Sequence, residues 1–279
     1  MTMIVKMTDA SQQTAEALRP NAHVFQSQSG EREHLVQFYE TDDFLVEMLC
    51  DFIETGLSTQ DTCLLFATSA HLERLEEHLQ ARNLDLASLR RRGEYLSWDA
   101  DETLAQVLVD EMPERERFTE VVGSLITRAA QDGRRVRIFG EMVVQLWAKG
   151  NQAAAMRLEE LWNELRQTTP PFSLLCMYPM HLFAGEEYRE PFTTICQQHS
   201  HVLPDESYSA LASPEERLRA ITLLQQKAAS LEAEIEERKK AEERLRISEN
   251  HYRRLFEAST DGVLMSILLQ VPFSRRILS

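Results

Sequence analysis

The residue most suggestive of chemistry is Glu141, which follows an apolar run in the segment Phe139-Gly140-Glu141. Glycine permits a close backbone approach there. A carboxylate at such a junction can take a ligand, a metal ion or a water. It can equally cap the helix that follows, whose N-terminal dipole favours negative charge. Other polar and aromatic side chains stand at comparable run ends: Tyr39 and Glu40, Thr68 and Ser69, Trp98 and Asp99, and Tyr178 with His181 beyond Pro179. In an open parallel sheet, ligands bind in the crevice at the carboxyl ends of the strands. Two phenols, an indole and several carboxylates converging on one edge would make a small-molecule pocket. The plainer alternative is that Tyr39 and Trp98 only cover the sheet end. Cys196-Gln-Gln-His199 spans one helical turn, and Cys176 could approach it from a neighbouring strand. Thiolate and imidazole together suit zinc or another soft transition metal, or a redox role. No second closely spaced Cys or His pair completes a ligand set, so a buried thiol beside a histidine is the preferred reading and no cofactor is expected.

Several chemistries find no support in the sequence. There is no GxSxG turn, HExxH helix or kinase signature. Ala67-Thr-Ser-Ala-His-Leu72 follows the second apolar run without a glycine-rich phosphate loop or a Gly-Lys-Ser/Thr. The 279 residues carry 30 Lys+Arg against 45 Asp+Glu, a net charge of −15. Such a chain lacks the clustered cations that nucleic-acid phosphates require, and an anionic membrane surface would repel it. No apolar run is long enough to span a bilayer, and the first residues lack a signal-peptide core. Cys50, Cys63, Cys176 and Cys196 lie in apolar segments without a CxxC pair. That usage suits a cytoplasmic protein with reduced thiols.

The elements that must position these residues follow from hydrophobic periodicity. Residues 1–33 are polar and aperiodic, a flexible extension. From His34 to Tyr208, short apolar runs alternate with amphipathic stretches. Strands are expected over 34–40, 61–68, 94–99, 135–140 and 172–178. Helices are expected over 42–56, 69–82, 101–111, 114–131, 142–149 and 152–167. Alternation of this kind implies a mainly parallel sheet covered by helices on both faces, an α/β three-layer sandwich. Residues 213–258 open on Ser213-Pro-Glu-Glu, a helix start with Pro in the first turn, and then run without a further Gly or Pro, with Ile221, Leu224, Ala228, Leu231 and Ile235 spaced three and four apart. This is a heptad seam, which a parallel homodimer would bury; packing of the helix on the α/β domain is the alternative. Thr260-Asp-Gly-Val-Leu-Met265 reads as a turn and a strand opening a new domain, and the basic, apolar tail to Ser279 reads as truncated or frame-shifted.

Five separated motifs carry a family resemblance: His34-Leu-Val-Gln-Phe-Tyr-Glu40, Ile138-Phe-Gly-Glu-Met142, Leu158-Glu-Glu-Leu-Trp-Asn163, Leu175-Cys-Met-Tyr-Pro179 and Ile195-Cys-Gln-Gln-His199. Together they resemble the MEDS domain, a methanogen/methylotroph (DcmR-like) sensory module, across His34 to Tyr208. The resemblance implies a RecA/KaiC-like fold without a working phosphate loop, used to sense a small, hydrocarbon-derived molecule. Carried over by motif, it adds His34, Phe38, Trp147 and Trp162 to Tyr39, Glu141, Cys176, Tyr178, Cys196 and His199. Residues 236–262 resemble the linker helix and first turn of a PAS domain, as in sensor histidine kinases, although no PAS core or kinase domain follows. The expected function is a cytoplasmic, non-enzymatic input module of a two-component system. It would bind a small effector, relay the signal through a coiled-coil homodimer and act on a downstream kinase or response regulator. A degenerate RecA/KaiC-like nucleotide-binding protein or weak ATPase is the alternative.

Overall fold

The computed structural model describes residues 32–209, 211 and 213–269. The predicted extension over residues 1–33 lies almost wholly outside them, as does the tail beyond Leu269. The chain divides into two units, Met1–Ala212 and Ser213–Ser279.

The first unit is built on a six-stranded sheet. Its strands are β1 (His34–Tyr39), β2 (Thr62–Ala67), β3 (Tyr95–Asp99), β6 (Val136–Gly140), β7 (Phe172–Pro179) and β8 (His201–Leu203). A separate two-stranded hairpin contributes β4 (Leu108–Val109) and β5 (Met112–Pro113). The six strands lie in the order β3-β2-β6-β7-β1-β8, and every pairing is parallel. This confirms the α/β sandwich, and the order is compatible with a RecA/KaiC-like core.

Side chains alternate across a strand, so each central strand feeds two cores. Leu35 and Tyr39 of β1, with Cys63, Leu65 and Ala67 of β2, face one core. That core is closed by α1 (Asp42–Ser58), α2 (Ser69–Ala81) and α3 (Leu86–Arg91). Val36, Phe38, Leu64 and Phe66 face the other core. There α4 (Ala100–Val107), α5 (Arg115–Phe118), α6 (Ser124–Ala129), α7 (Met142–Ala148), α8 (Gln152–Thr168) and α9 (Arg189–Gln198) pack, followed in the chain by the short α10 (Glu206–Ser209). Trp147 and Trp162 are both buried in this second core.

Local chemistry starts the helices where the strands end. The Thr41 hydroxyl accepts from Phe44 N (3.3 Å), and the Thr68 hydroxyl accepts from His71 N (3.4 Å). Each is an N-cap that turns the chain sharply out of a strand. Asp42 and Ser69, the residues that follow them, are the first of their helices. Gly56 does not stop the first helix. It lies inside α1, where an added Cβ would stand 2.8 Å from Arg137 Cδ and 2.9 Å from Cys63 Sγ, so its role is close helix–sheet packing.

Other expectations change. The helix predicted over 101–111 ends at Val107 and gives way to the β4–β5 hairpin. Pro113 lacks the N–H a helix needs, and Asp110 and Glu111 take left-handed φ angles of 48° and 63°, as a tight hairpin turn demands. The segment 114–131 holds α5, a π-helical turn at Thr119–Gly123, and α6. Sequence periodicity missed α3 and the three-residue strand β8.

The second unit is α11 (Pro214–Leu269), a helix of 56 residues or roughly 84 Å. Its backbone continues through Thr260-Asp-Gly262, replacing the turn and strand predicted there. One helical glycine costs only about 1 kcal/mol, too little to end a long helix. Leu218, Ile221, Leu224, Leu231, Ile235 and Leu245 are all exposed. No helix among the described residues is long and apolar enough to cross a membrane.

Candidate functional site

β2 and β6 run side by side up to the pair Phe66↔Gly140, and there the chain paths part. β2 leads through Thr68 into α2 in one core, whereas β6 leads through Glu141 into α7 in the other. Such a split opens the crevice in which open sheets bind ligands.

Glu141 sits in this crevice and is 2% exposed. Its backbone N donates to Phe66 O (2.8 Å), which continues the ladder by one bond. Its side chain does not cap α7. Instead Oε2 accepts from Thr68 N (2.9 Å), and Oε1 lies 2.7 Å from His71 Nδ1. The carboxylate thus ties the end of β6 to the first turn of α2. His71 Nε2 points toward Asp42 Oδ1 at 3.7 Å, and Asp42 also faces Arg74 at 3.6 Å. The hydrogen bond to Glu141 pushes the His71 pKa above the ordinary histidine value, against the opposing effect of burial. Tyr39 is buried beside this group. Burial first, then the charges of Glu141 and Asp42, push its phenol up. Its hydroxyl makes no hydrogen bond among the described residues, and the His71 side chain that Glu141 holds is 16% exposed. At the neighbouring strand end, Asp99 holds Ser69 Oγ (2.6 Å) and caps α4 through Glu102 N (2.9 Å). Those bonds, Ser69 first, hold its carboxyl below the usual range.

The predicted site residues fall into two groups on opposite faces of the sheet. Tyr39 and Glu141 meet at the crevice, joined by His71 and Asp42, which sequence reasoning did not place there. The usable signal was position: both lie in the first helical turn after a strand that ends in a capping threonine. Trp98 is half-buried on the other face and stacks on Phe66, with ring centroids 5.3 Å apart. Phe38, Tyr178 and Trp147 also lie on that other face. Phe183 joins them, with centroids 5.9, 5.8 and 5.5 Å from Phe38, Tyr178 and Trp147. Trp147 Nε1 is buried there without a hydrogen-bond partner.

His34, Cys176 and His199 gather deeper on that same face, and Cys196 stays outside their cluster. The fourth member is Glu159 of α8. It occupies the buried stripe formed by Ala155, Leu158 and Trp162, and a charged residue on an apolar helical stripe was the available clue. The Tyr178 hydroxyl donates to Glu159 Oε1.

Two open clefts lie away from the crevice. One, of about 610 Å³, is lined by Asp61, Glu94, Arg134 and Arg135; the other, of about 580 Å³, by Glu54, Asp85, Ser88 and Arg92. The first is internally neutralised, because Asp61 pairs with Arg135 (3.1 Å) and Arg137 (2.7 Å).

The chain is thus an α/β protein with a parallel sandwich that carries an acid–imidazole pair at the carboxyl edge of its sheet. The family model for MEDS, the methanogen/methylotroph, DcmR sensory domain, matches residues 33–194, and the chain belongs to that family. Its role is accordingly sensory and signalling. No curated protein is detectably similar to the chain.

Proposed function

We propose that this protein is a cytoplasmic input module that binds a small organic effector at the crevice between β2 and β6. The observation that carries this reading is the constellation of Tyr39, Asp42, His71 and Glu141. It groups a phenol with no hydrogen-bond partner among the described residues, a largely buried imidazole and the exposed carboxylate of Asp42 around one strand junction. Short alcohols and amines match it, since each pairs one polar group with a small apolar body. The constellation has no nucleophile held by a base and no glycine-rich phosphate cradle, which favours recognition over catalysis.

Signal output would run through α11. A ligand shifts that helix only by binding two conformations with different affinity. Its exposed leucines and isoleucines at heptad spacing support a parallel homodimer, in which the seam is buried against a second copy. The PAS-like sequence over 236–262 supports a sensor-kinase context with a downstream kinase or response regulator.

Thermal-shift measurements with methanol, methylamine, longer short-chain alcohols and adenine nucleotides test the site. A rise in Tm with an alcohol or amine, lost in Glu141→Ala and in Tyr39→Phe, is the expected result. Stabilisation that survives both substitutions places binding elsewhere. Stabilisation by ATP alone, with hydrolysis abolished in Glu141→Ala, would replace this reading with that of a degenerate nucleotide-binding protein. Sedimentation of the full chain against one ending at Ala212 tests the relay, and a dimer that survives the cut refutes it.

A further inference from the structure

We propose that His34, Glu159, Cys176 and His199 form a buried binding site for a divalent transition-metal ion of the zinc class. All four are buried, and one ligand atom from each lies within 4.8 Å of every other. The site is separate from the effector crevice and does not depend on it.

The hydrogen bonds around the cluster determine which atoms face inward. Arg166 Nη1 donates to Asn163 Oδ1 (3.2 Å), which identifies that amide atom as oxygen. The same oxygen lies 3.1 Å from His34 Nδ1. An amide oxygen only accepts, so His34 carries its proton on Nδ1 and turns the lone pair of Nε2 into the cluster. His199 Nδ1 lies 2.7 Å from the Ile195 carbonyl oxygen, which likewise only accepts. Its Nε2 lone pair therefore also points inward. Glu159 Oε1 is taken by the Tyr178 hydroxyl, which leaves Oε2. His199 Nε2 and Glu159 Oε2 are buried with no hydrogen-bond partner.

Two imidazole lone pairs, a carboxylate oxygen and a sulfur thus converge, and the thiol hydrogen of Cys176 is the one proton directed among them. Acceptors crowded together out of water repel one another and forgo hydration. A cation bound by all four removes both costs. Arg166 stands near enough for its charge to act on His34 and Cys176, but its guanidinium bonds Asn163 and makes no hydrogen bond to a ligand atom.

Distances agree with this assignment. His34 Nε2 is 3.4 Å from Cys176 Sγ and 3.5 Å from Glu159 Oε2, and the remaining pairs of ligand atoms lie within 4.8 Å, so the cluster would draw in slightly around an ion. Tetrahedral zinc, with bonds of about 2.0–2.3 Å, separates its ligand atoms by about 3.3–3.8 Å. Each outer partner has the form expected of a metal site: Asn163 and the Ile195 carbonyl hold the imidazoles by their far nitrogens, and Tyr178 holds the carboxylate. Four protein ligands in a closed site are the pattern of a structural metal rather than a catalytic one. Here the ion would join β1, β7 and α8 to the segment between α9 and β8. β8 is held to β1 through only three register pairs, so the ion would anchor the stretch that leads toward α11.

The test is the metal content of the full chain purified without chelator, together with the absorption spectrum of protein produced with cobalt. The expected result is about one equivalent of metal per chain, with cobalt showing visible ligand-field bands and a near-ultraviolet thiolate-to-cobalt charge-transfer band. Cys176→Ser should abolish the charge-transfer band, whereas Cys196→Ser should leave it unchanged. Tyr178→Phe, which preserves packing, should weaken metal affinity by about 10–100-fold. A cooperatively folded protein that carries no metal and takes up no cobalt on titration overturns the proposal. So does stoichiometric metal retained with an unchanged cobalt spectrum in Cys176→Ser or His199→Gln.

Discussion

Replacing Glu141 by Gln should lower stability most where His71 is protonated and progressively less as pH rises. In the native protein Glu141 accepts a backbone hydrogen bond from Thr68 and a side-chain bond from His71. Glutamine keeps one oxygen for Thr68 N–H and nearly the same volume, so the change falls on the His71 contact. A hydrogen bond between charged partners contributes about 1.5–3 kcal/mol, against about 0.5–1.5 kcal/mol for a neutral one. The expected loss at low pH is therefore about 1–2 kcal/mol, or about 2–8 °C in Tm for a domain of this size. The sign of the pH dependence follows from the raised pKa of folded His71. Its stabilisation is complete below the unfolded value of about 6.5 and disappears as pH rises through the folded value. Asp42 and Arg74 also face the imidazole, and both remain in the variant. The assay is thermal unfolding of both proteins at intervals from about pH 6 to about pH 9, with the difference in Tm plotted against pH. A difference that stays constant over that range, or grows with pH, refutes the ion pair as the lock between β6 and α2.

Gly56→Ala should cost about 1–3 kcal/mol by overpacking, because the new methyl meets Cys63 Sγ on a buried strand; chemical denaturation measures it. Trp162→Ala should cost about 3–5 kcal/mol by opening a cavity, since the indole is fully buried and packs edge-on against Phe118 at 5.0 Å. Trp162→Phe should cost less than half as much, because it also removes a buried N–H with no hydrogen-bond partner. In the native protein Cys196 should be the first thiol alkylated, as it alone is partly exposed. Cys50 and Cys63, whose thiols burial pushes up to about 12, should react only on unfolding, as mass spectrometry of timed iodoacetamide reactions would show.

Much of this molecule was written in the order of its residues. Apolar runs such as Thr62–Ala67 and Val136–Gly140 declare strands buried on both faces, whereas the capping threonines at 41 and 68 emerged only in the structure. Glu141 stood out because a carboxylate right after such a run has to answer to something, and that partner proved to be the first turn of α2. Periodicity within an element tells which side chains share a face. It does not tell which elements become neighbours, so the opposition of Tyr39 to Tyr178 across the sheet appeared only in three dimensions.

The same distinction explains the His34, Glu159, Cys176 and His199 cluster. Its members come from a strand start, a helix face, a strand interior and a loop, and no spacing rule connects them. Pairing β1 with β7, and laying α8 and the end of α9 over that pair, brings the four together. Burial then removes the water that would otherwise satisfy them. The sequence by itself supplied the acceptors; only tertiary packing decided that they would face one another, buried away from bulk solvent.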